Sequence, residues 1–129
     1  MPGEHLNPST VHQPTGYTHA VKVANTVYVA GQIALAQDGT LVGEGDVAAQ
    51  AEQVYHNLQE VLKAVGASLQ DVVKVTTYLT RAEDLTAVRE VRARHFTTEP
   101  PASTLVVVSQ LARSELLIEI EAIAVLGAG

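Results

Sequence analysis

Hydrophobic and polar positions repeat with two different periods along this chain, and the change of period divides it. Residues 17–23 and 26–32 read as two strands joined by a turn at Ala24-Asn25, so a hairpin is expected. Asp38-Gly39 marks a further tight turn. From Asp46 the apolar positions recur at steps of three and four. Val47, Ala51, Val54, Leu58, Val61, Leu62 and Val65 form one stripe of an amphipathic helix. Asp46 is placed to cap this helix and Gly66 to stop it. Residues 71–80 are β-branched and alternating, which predicts a strand. Residues 83–96 predict a second helix, buried along Leu85, Val88, Val91 or Arg92, and Phe96. Glu83 and Asp84 stand where the helix dipole favours negative charge, and Glu90 and Arg94 have the spacing of an ion pair. The stretch up to Thr15 has no period and reads as an irregular lead-in.

Residues 100–125 hold two strand-like runs around a polar break at Arg113-Ser114. Residues 104–108 are nearly all aliphatic, as expected of a strand buried on both faces. The last run alternates. Leu116, Ile118, Ile120, Ala122 and Ala124 point one way; Leu117, Glu119, Glu121 and Ile123 point the other. Two carboxylates therefore share one face of an otherwise aliphatic strand. That face meets water, or it meets something that needs a carboxylate.

The order is hairpin, helix, strand, helix and two strands, which predicts an α+β fold with a mixed sheet. Two helices leave one face of such a sheet bare. Apolar groups on that face, Leu117 and Ile123, call for a partner. A homo-oligomer with its sheets packed inward is the expectation. No repeat or second period appears, so residues 1–129 are read as a single domain.

Composition narrows the chemistry. One Phe, four Tyr and no Trp mean that the core is built from Val, Leu, Ile and Ala. A net charge of −6 repels phosphate backbones and disfavours sequence-independent binding to nucleic acid. The absence of cysteine removes disulfides, thiolate nucleophiles and Cys-ligated metals. The five histidines lack metal-ligand spacing, so no metal site is expected. No apolar run reaches the roughly 20 residues that span a bilayer, and the N-terminal residues lack the layout of a signal peptide. A cytoplasmic protein is expected.

Some segments are more specific. Thr15-Gly16-Tyr17, Val29-Ala30-Gly31-Gln32-Ile33, Asp46-Val47-Ala48-Ala49-Gln50-Ala51, Asp71-Val72-Val73-Lys74-Val75 and Ile118-Glu119-Ile120-Glu121-Ala122-Ile123-Ala124 follow in this order. Together they resemble the RidA/YjgF family of reactive-intermediate (enamine/imine) deaminases over almost the whole chain. The resemblance implies a chorismate-mutase-like fold, with a mixed six-stranded sheet and two helices on one face. It implies a homotrimer whose sheets form an inner barrel, with a cleft at each subunit interface. It also implies cofactor-free hydrolysis of a small enamine or imine to a carbonyl compound and ammonia. In the family pattern the first Glu of the closing motif, here Glu119, works with a water. Tyr17 and a backbone amide near Gly31 help line the cleft. Glu119 and Tyr17 are thus the expected catalytic residues. Arg89, Ser103, Gly31 and Leu105 are the expected substrate-contacting positions.

One departure bears on substrate. The family places an Arg after Pro-Ala at the start of the penultimate strand, where it pins a substrate carboxylate. This chain reads Pro101-Ala102-Ser103-Thr104. A serine hydroxyl has no bidentate, charge-assisted fork to offer. The loss is worth about 2–4 kcal/mol of binding, roughly a hundredfold in affinity. This argues against the family's standard 2-imino-acid substrates. Arg89 stands at a helix position that the family often fills with Asn near the cleft. It is either an ordinary surface arginine or a relocated guanidinium.

The everyday reading of an alternating Glu such as Glu119 is a solvated side chain. Tyr17 and His19 share a face, and His19 reads as a surface histidine. No His or Lys at suitable spacing marks Ser103 or Thr104 as a nucleophile. The alternative function is a non-catalytic trimer that binds a small metabolite or acts as a chaperone or regulator. Ribonuclease activity is disfavoured by the acidic balance and by the lack of a His pair or basic stripe.

Overall fold

The computed structural model describes residues 3–127. The strands are β1 (Glu4–Leu6), β2 (Ala20–Val23), β3 (Thr26–Gln32), β4 (Val72–Leu79), β5 (Ala102–Val107) and β6 (Ile118–Val125). They form one six-stranded sheet in the order β1-β2-β3-β6-β4-β5. Every neighbouring pair is antiparallel except β4 and β5. The parallel pair needs a crossover, and helix α2 (Leu85–His95) supplies it. Helix α1 (Val47–Ala64) connects β3 to β4, and both helices lie on one face of the sheet.

Helix α1 forms where its stripe predicts. Asp46 Oδ1 accepts the Ala49 N–H at 3.1 Å, and Gly66 leaves the helix at φ +79°. Val54, Leu58, Val61 and Leu62 are fully buried and share one cluster with Val27, Val75, Leu79, Ile118 and Ile120. Each such side chain stabilises the fold by about 1.5–3 kcal/mol. Helix α2 is shallower, burying only Val88 and Val91. Glu83 and Asp84 fall in a 3₁₀ turn, Ala82–Asp84, just before it. Asp84 takes a two-pronged bond from Arg81 at 2.9 and 3.0 Å. Arg94 does not pair with Glu90. It reaches across to Glu52 on α1 at 2.8 Å, because α2 packs on α1.

Other expectations are corrected. The lead-in is not wholly irregular: Glu4–Leu6 pairs with β2 as an edge strand. Leu117 does not lie on the bare face. It is 9% exposed and belongs to the core, because the chain is still turning into β6 there. Strand β5 is not buried on both faces within one chain. It is the sheet's other edge, with Val106 39% and Val107 51% exposed.

Strand β6 alternates as expected. Ile118, Ile120, Ala122 and Ala124 are buried under the helices, while Glu119, Glu121 and Ile123 face the other way. Cross-strand register extends that second face. Val21, Tyr28, Ile123 and Lys74 align in one row, and Tyr78 stands opposite Glu119. Tyr28 is 51% exposed there. No helix of the described residues is long and apolar enough to cross a membrane.

Candidate functional site

The site begins with a fault in the sheet. Val29 pairs with Ala122 and Gln32 with Ile120, so β3 takes three steps where β6 takes two. The extra residue makes a bulge at Ala30-Gly31, a device that re-aims backbone near functional sites. Glu119 fills the space this creates. A methyl group placed on Gly31 would overlap the Glu119 carboxylate, so only glycine leaves room for it. The carboxylate is half-buried. Burial, and then the charge of Glu121, push its pKa above the ordinary carboxylate value.

Helix α1 fixes both sides of this contact. Asn57 Nδ2 donates to the carbonyls of Ile33 and Leu35, each at 2.9 Å, just beyond Gly31. Gln50 Oε1 accepts the Leu117 N–H at 2.8 Å, just before Glu119. Its Nε2 donates to Gly43 and Glu115 carbonyls at 3.1 and 2.9 Å. Gln50→Leu keeps the bulk and strands these three backbone groups. The expected loss is about 2–4 kcal/mol, read as a lower urea midpoint with an unchanged slope.

The charge of Glu119 reaches Tyr17. Burial, and then the Glu119 charge, raise the pKa of its phenol. Its hydroxyl meets His12 Nε2 at 3.0 Å. His12 and His19 are both buried and lie edge to face, with ring centroids 4.9 Å apart. Two sequence expectations thus change. His19 is not a surface residue, and a pair of histidines does exist. Burial, and then His19, lower the His12 pKa, which suits a neutral ring. On the open face, the Tyr78 hydroxyl donates to Glu121 Oε1. Glu121 is exposed.

A cleft of about 500 Å³ is lined by Tyr17 together with Asn7, Ser9, Gln13 and Gln37 among others. Its lining carries no charged side chain, and Glu119 does not line it. No group of three or more His, Asp or Glu among the described residues is placed to hold a metal ion.

Glu119 and Gly31 therefore meet within one chain, and the charge of Glu119 reaches Tyr17. The other expected residues do not join them. Ser103 stands opposite Val75 and Leu105 opposite Thr77, both on the helix-covered face, whereas Glu119 stands opposite Tyr78 on the other. Ser103 and Leu105 cannot share a pocket with Glu119 inside a single chain. Arg89 is exposed on α2 and makes no ion pair among the described residues.

The family profile described as Endoribonuclease L-PSP matches residues 9–126. The chain belongs to the RidA/YjgF family. A RutC family protein of Pyrococcus abyssi is 42% identical over 113 residues, covering 87% of this chain and 88% of that protein. The mouse protein named 2-iminobutanoate/2-iminopropanoate deaminase is 38% identical over 111 residues, covering 86% and 82%. The crystal structure of RidA from an Antarctic Psychrobacter superposes with a TM-score of 0.90 at 33% identity, covering 95% and 99%. The RidA/YjgF fold thus accounts for the order of strands and for the two helices on one face.

His12, Gln50 and Asn57 were not anticipated as site residues. Gln50 and Asn57 left a signal: each is an amide three positions past a valine of the buried helical stripe. A polar side chain on such a stripe needs a buried partner. His12 left none.

Proposed function

We propose that this protein is a cofactor-free hydrolase that converts small reactive enamines or imines to carbonyl compounds and ammonia. The reaction takes place in clefts completed by a neighbouring copy in a homotrimer. The observation that carries this reading is the half-buried Glu119 carboxylate seated over Gly31. Relatives named as imine deaminases support it.

In this reading Glu119 takes a proton from water as its oxygen bonds to the imine carbon. Glu119 returns that proton to the nitrogen, giving a carbinolamine. The added hydroxyl then passes its own proton to the nitrogen through the same carboxylate, the C–N bond breaks, and ammonia leaves as the carbonyl forms. A carboxyl with a raised pKa suits both halves of that exchange, because it is a stronger base than an ordinary carboxylate and, once protonated, an acid that can return the proton. Tyr17 and the backbone at Gly31 hold the polar end of the substrate.

The sheet register supports the need for a second copy. Ser103 and Leu105 lie across the sheet from Glu119, so a cleft that holds both needs more than one chain. Exposed Tyr28, Val23 and Val106 give the assembly apolar surface to bury. Light scattering is expected to give the mass of three chains; a monomer at micromolar concentration would contradict the trimer.

Substrate choice follows from Ser103. Without a guanidinium there, imines lacking a free carboxylate are favoured, unless Arg89 of a neighbouring copy supplies the cation. Imines generated in place by an amino-acid oxidase are expected to yield ammonia faster with the protein than in buffer. Arg89→Ala separates the two cases, since it slows turnover only where the cation is used. Ligand-dependent thermal stabilisation with no turnover of any imine would instead favour the non-catalytic metabolite-binding protein. Endoribonuclease activity is a poorer fit, because the net charge of −6 opposes a phosphate backbone and the His12–His19 pair is buried.

A further inference from the structure

We propose that His12 is a positioning residue for Tyr17: its Nε2–H donates to the phenol oxygen and turns the phenol proton away from the histidine pair. The meaning for catalysis rests on the deaminase reading, but the hydrogen-bond geometry does not.

The network assigns its protons. His19 Nε2 lies 2.8 Å from the His12 carbonyl, which only accepts, so His19 carries a proton on Nε2. Its Nδ1 then accepts from Gln32 Nε2 at 3.2 Å, and the same amide donates to the Ala30 carbonyl at 3.1 Å. That arrangement fixes the Gln32 amide and the His19 ring. His12 is held through its own carbonyl and through its ring edge against His19.

His12 has one ring nitrogen at Tyr17, 3.0 Å from the hydroxyl. The other, Nδ1, is buried with no partner. Burial and the adjacent His19 favour a neutral His12, which has a single N–H to place. On Nδ1 that N–H would be stranded. On Nε2 it meets the phenol oxygen and strands only a lone pair, which is the cheaper orphan.

The consequence falls on Tyr17. A phenol oxygen that accepts from His12 must send its own proton elsewhere. Glu119 is the charged group that acts on Tyr17 from the site. A donor into the phenol oxygen also polarises the O–H bond, so the outgoing hydrogen bond is stronger. Tyr17 then presents a fixed donor, directed away from His12, to a water or a substrate atom. With no residue of the strands assigned to this job, the lead-in becomes part of the machinery.

The test compares His12→Leu, which keeps bulk, with His12→Gln, which keeps an N–H donor. Both are made in wild type and in Tyr17→Phe. His12→Leu is expected to lower kcat about tenfold, the ratio set by one ordinary hydrogen bond, with KM within about twofold. His12→Gln is expected to recover most of the rate, and in Tyr17→Phe neither change is expected to matter. Equal losses in both backgrounds, or no advantage of Gln over Leu, would overturn the proposal. Nitrogen NMR of histidine-labelled wild-type protein decides the point without activity. His12 is expected as the neutral Nε2–H tautomer at neutral pH; an Nδ1–H tautomer or an imidazolium would overturn it. If no imine is hydrolysed, the deaminase reading fails while the spectrum still decides His12.

Discussion

Glu119→Gln is expected to lower imine turnover by about 10²–10⁴-fold while the protein stays folded and assembled. The amide keeps the size of the side chain and loses its proton exchange with water. The same change is expected to raise the melting temperature at neutral pH. Within the fold the Glu119 carboxyl is pushed above its ordinary value of 4.5, first by burial and then by Glu121. The folded protein therefore binds this proton more tightly than the unfolded chain does. Stability is fully present below the ordinary value and is lost as pH rises through the raised one. Above that window the fold carries an incompletely solvated charge, and glutamine removes it. The gap in melting temperature between variant and wild type should accordingly shrink on acidification below the ordinary carboxylate value. Rate should follow the opposite course, rising with pH through the same window as the base ionises. Full activity in Glu119→Gln, or a variant less stable than wild type at neutral pH, would contradict the role assigned to this carboxyl.

Gly31→Ala is expected to be the second most damaging change. Gly31 does not have a positive φ, so alanine meets no backbone penalty there. The whole effect is steric, because the new methyl falls on the Glu119 carboxylate. Overpacking of this kind costs about 1–3 kcal/mol, and the carboxyl must leave its seat. Turnover should fall by about tenfold to a hundredfold, since a misplacement of about 1 Å is costly to positioned groups. The decisive comparison is Gly31→Ala together with Glu119→Ala, measured by denaturant unfolding. Removing the carboxylate should restore most of the stability that the methyl cost, a strong coupling between the two sites. Additive losses would mean that Gly31 and Glu119 are not in contact.

The elements were legible where local pattern decides them. The α1 stripe from Val47 to Leu62, its Asp46 cap and the alternation of β6 follow from periods of 3.6 and 2. The resemblance to RidA/YjgF proteins rested on short runs in the right order, and two residues it singled out, Glu119 and Gly31, are in contact in the fold.

What escaped depends on long-range geometry. The aliphatic run of β5 suggested a strand covered on both faces, but position in the sheet, not composition, sets burial, and β5 is an edge. An edge so apolar is the kind that another chain covers. Register was equally unreadable. Whether Ser103 shares a face with Glu119 depends on how a parallel crossover sets β5 against β4, and no local signal encodes that. Arg94 chose Glu52 over its helical neighbour Glu90 because the packing of α2 on α1 brought Glu52 within reach. The His12–Tyr17–His19 cluster joins a lead-in without period to residues read as a strand, and only the folded path of the chain brings the rings together.

Everything catalytic depends on one spatial relation, that of the Glu119 carboxyl to a second copy of the chain. The measurement that tests it most directly is a crystal structure of the protein in its solution assembly. The expected result is atoms of a neighbouring copy within about 6 Å of that carboxyl, close enough to govern its ionisation, with the neighbour's β5 facing it. A carboxyl open to bulk water and remote from every subunit boundary would contradict the proposed function at its root.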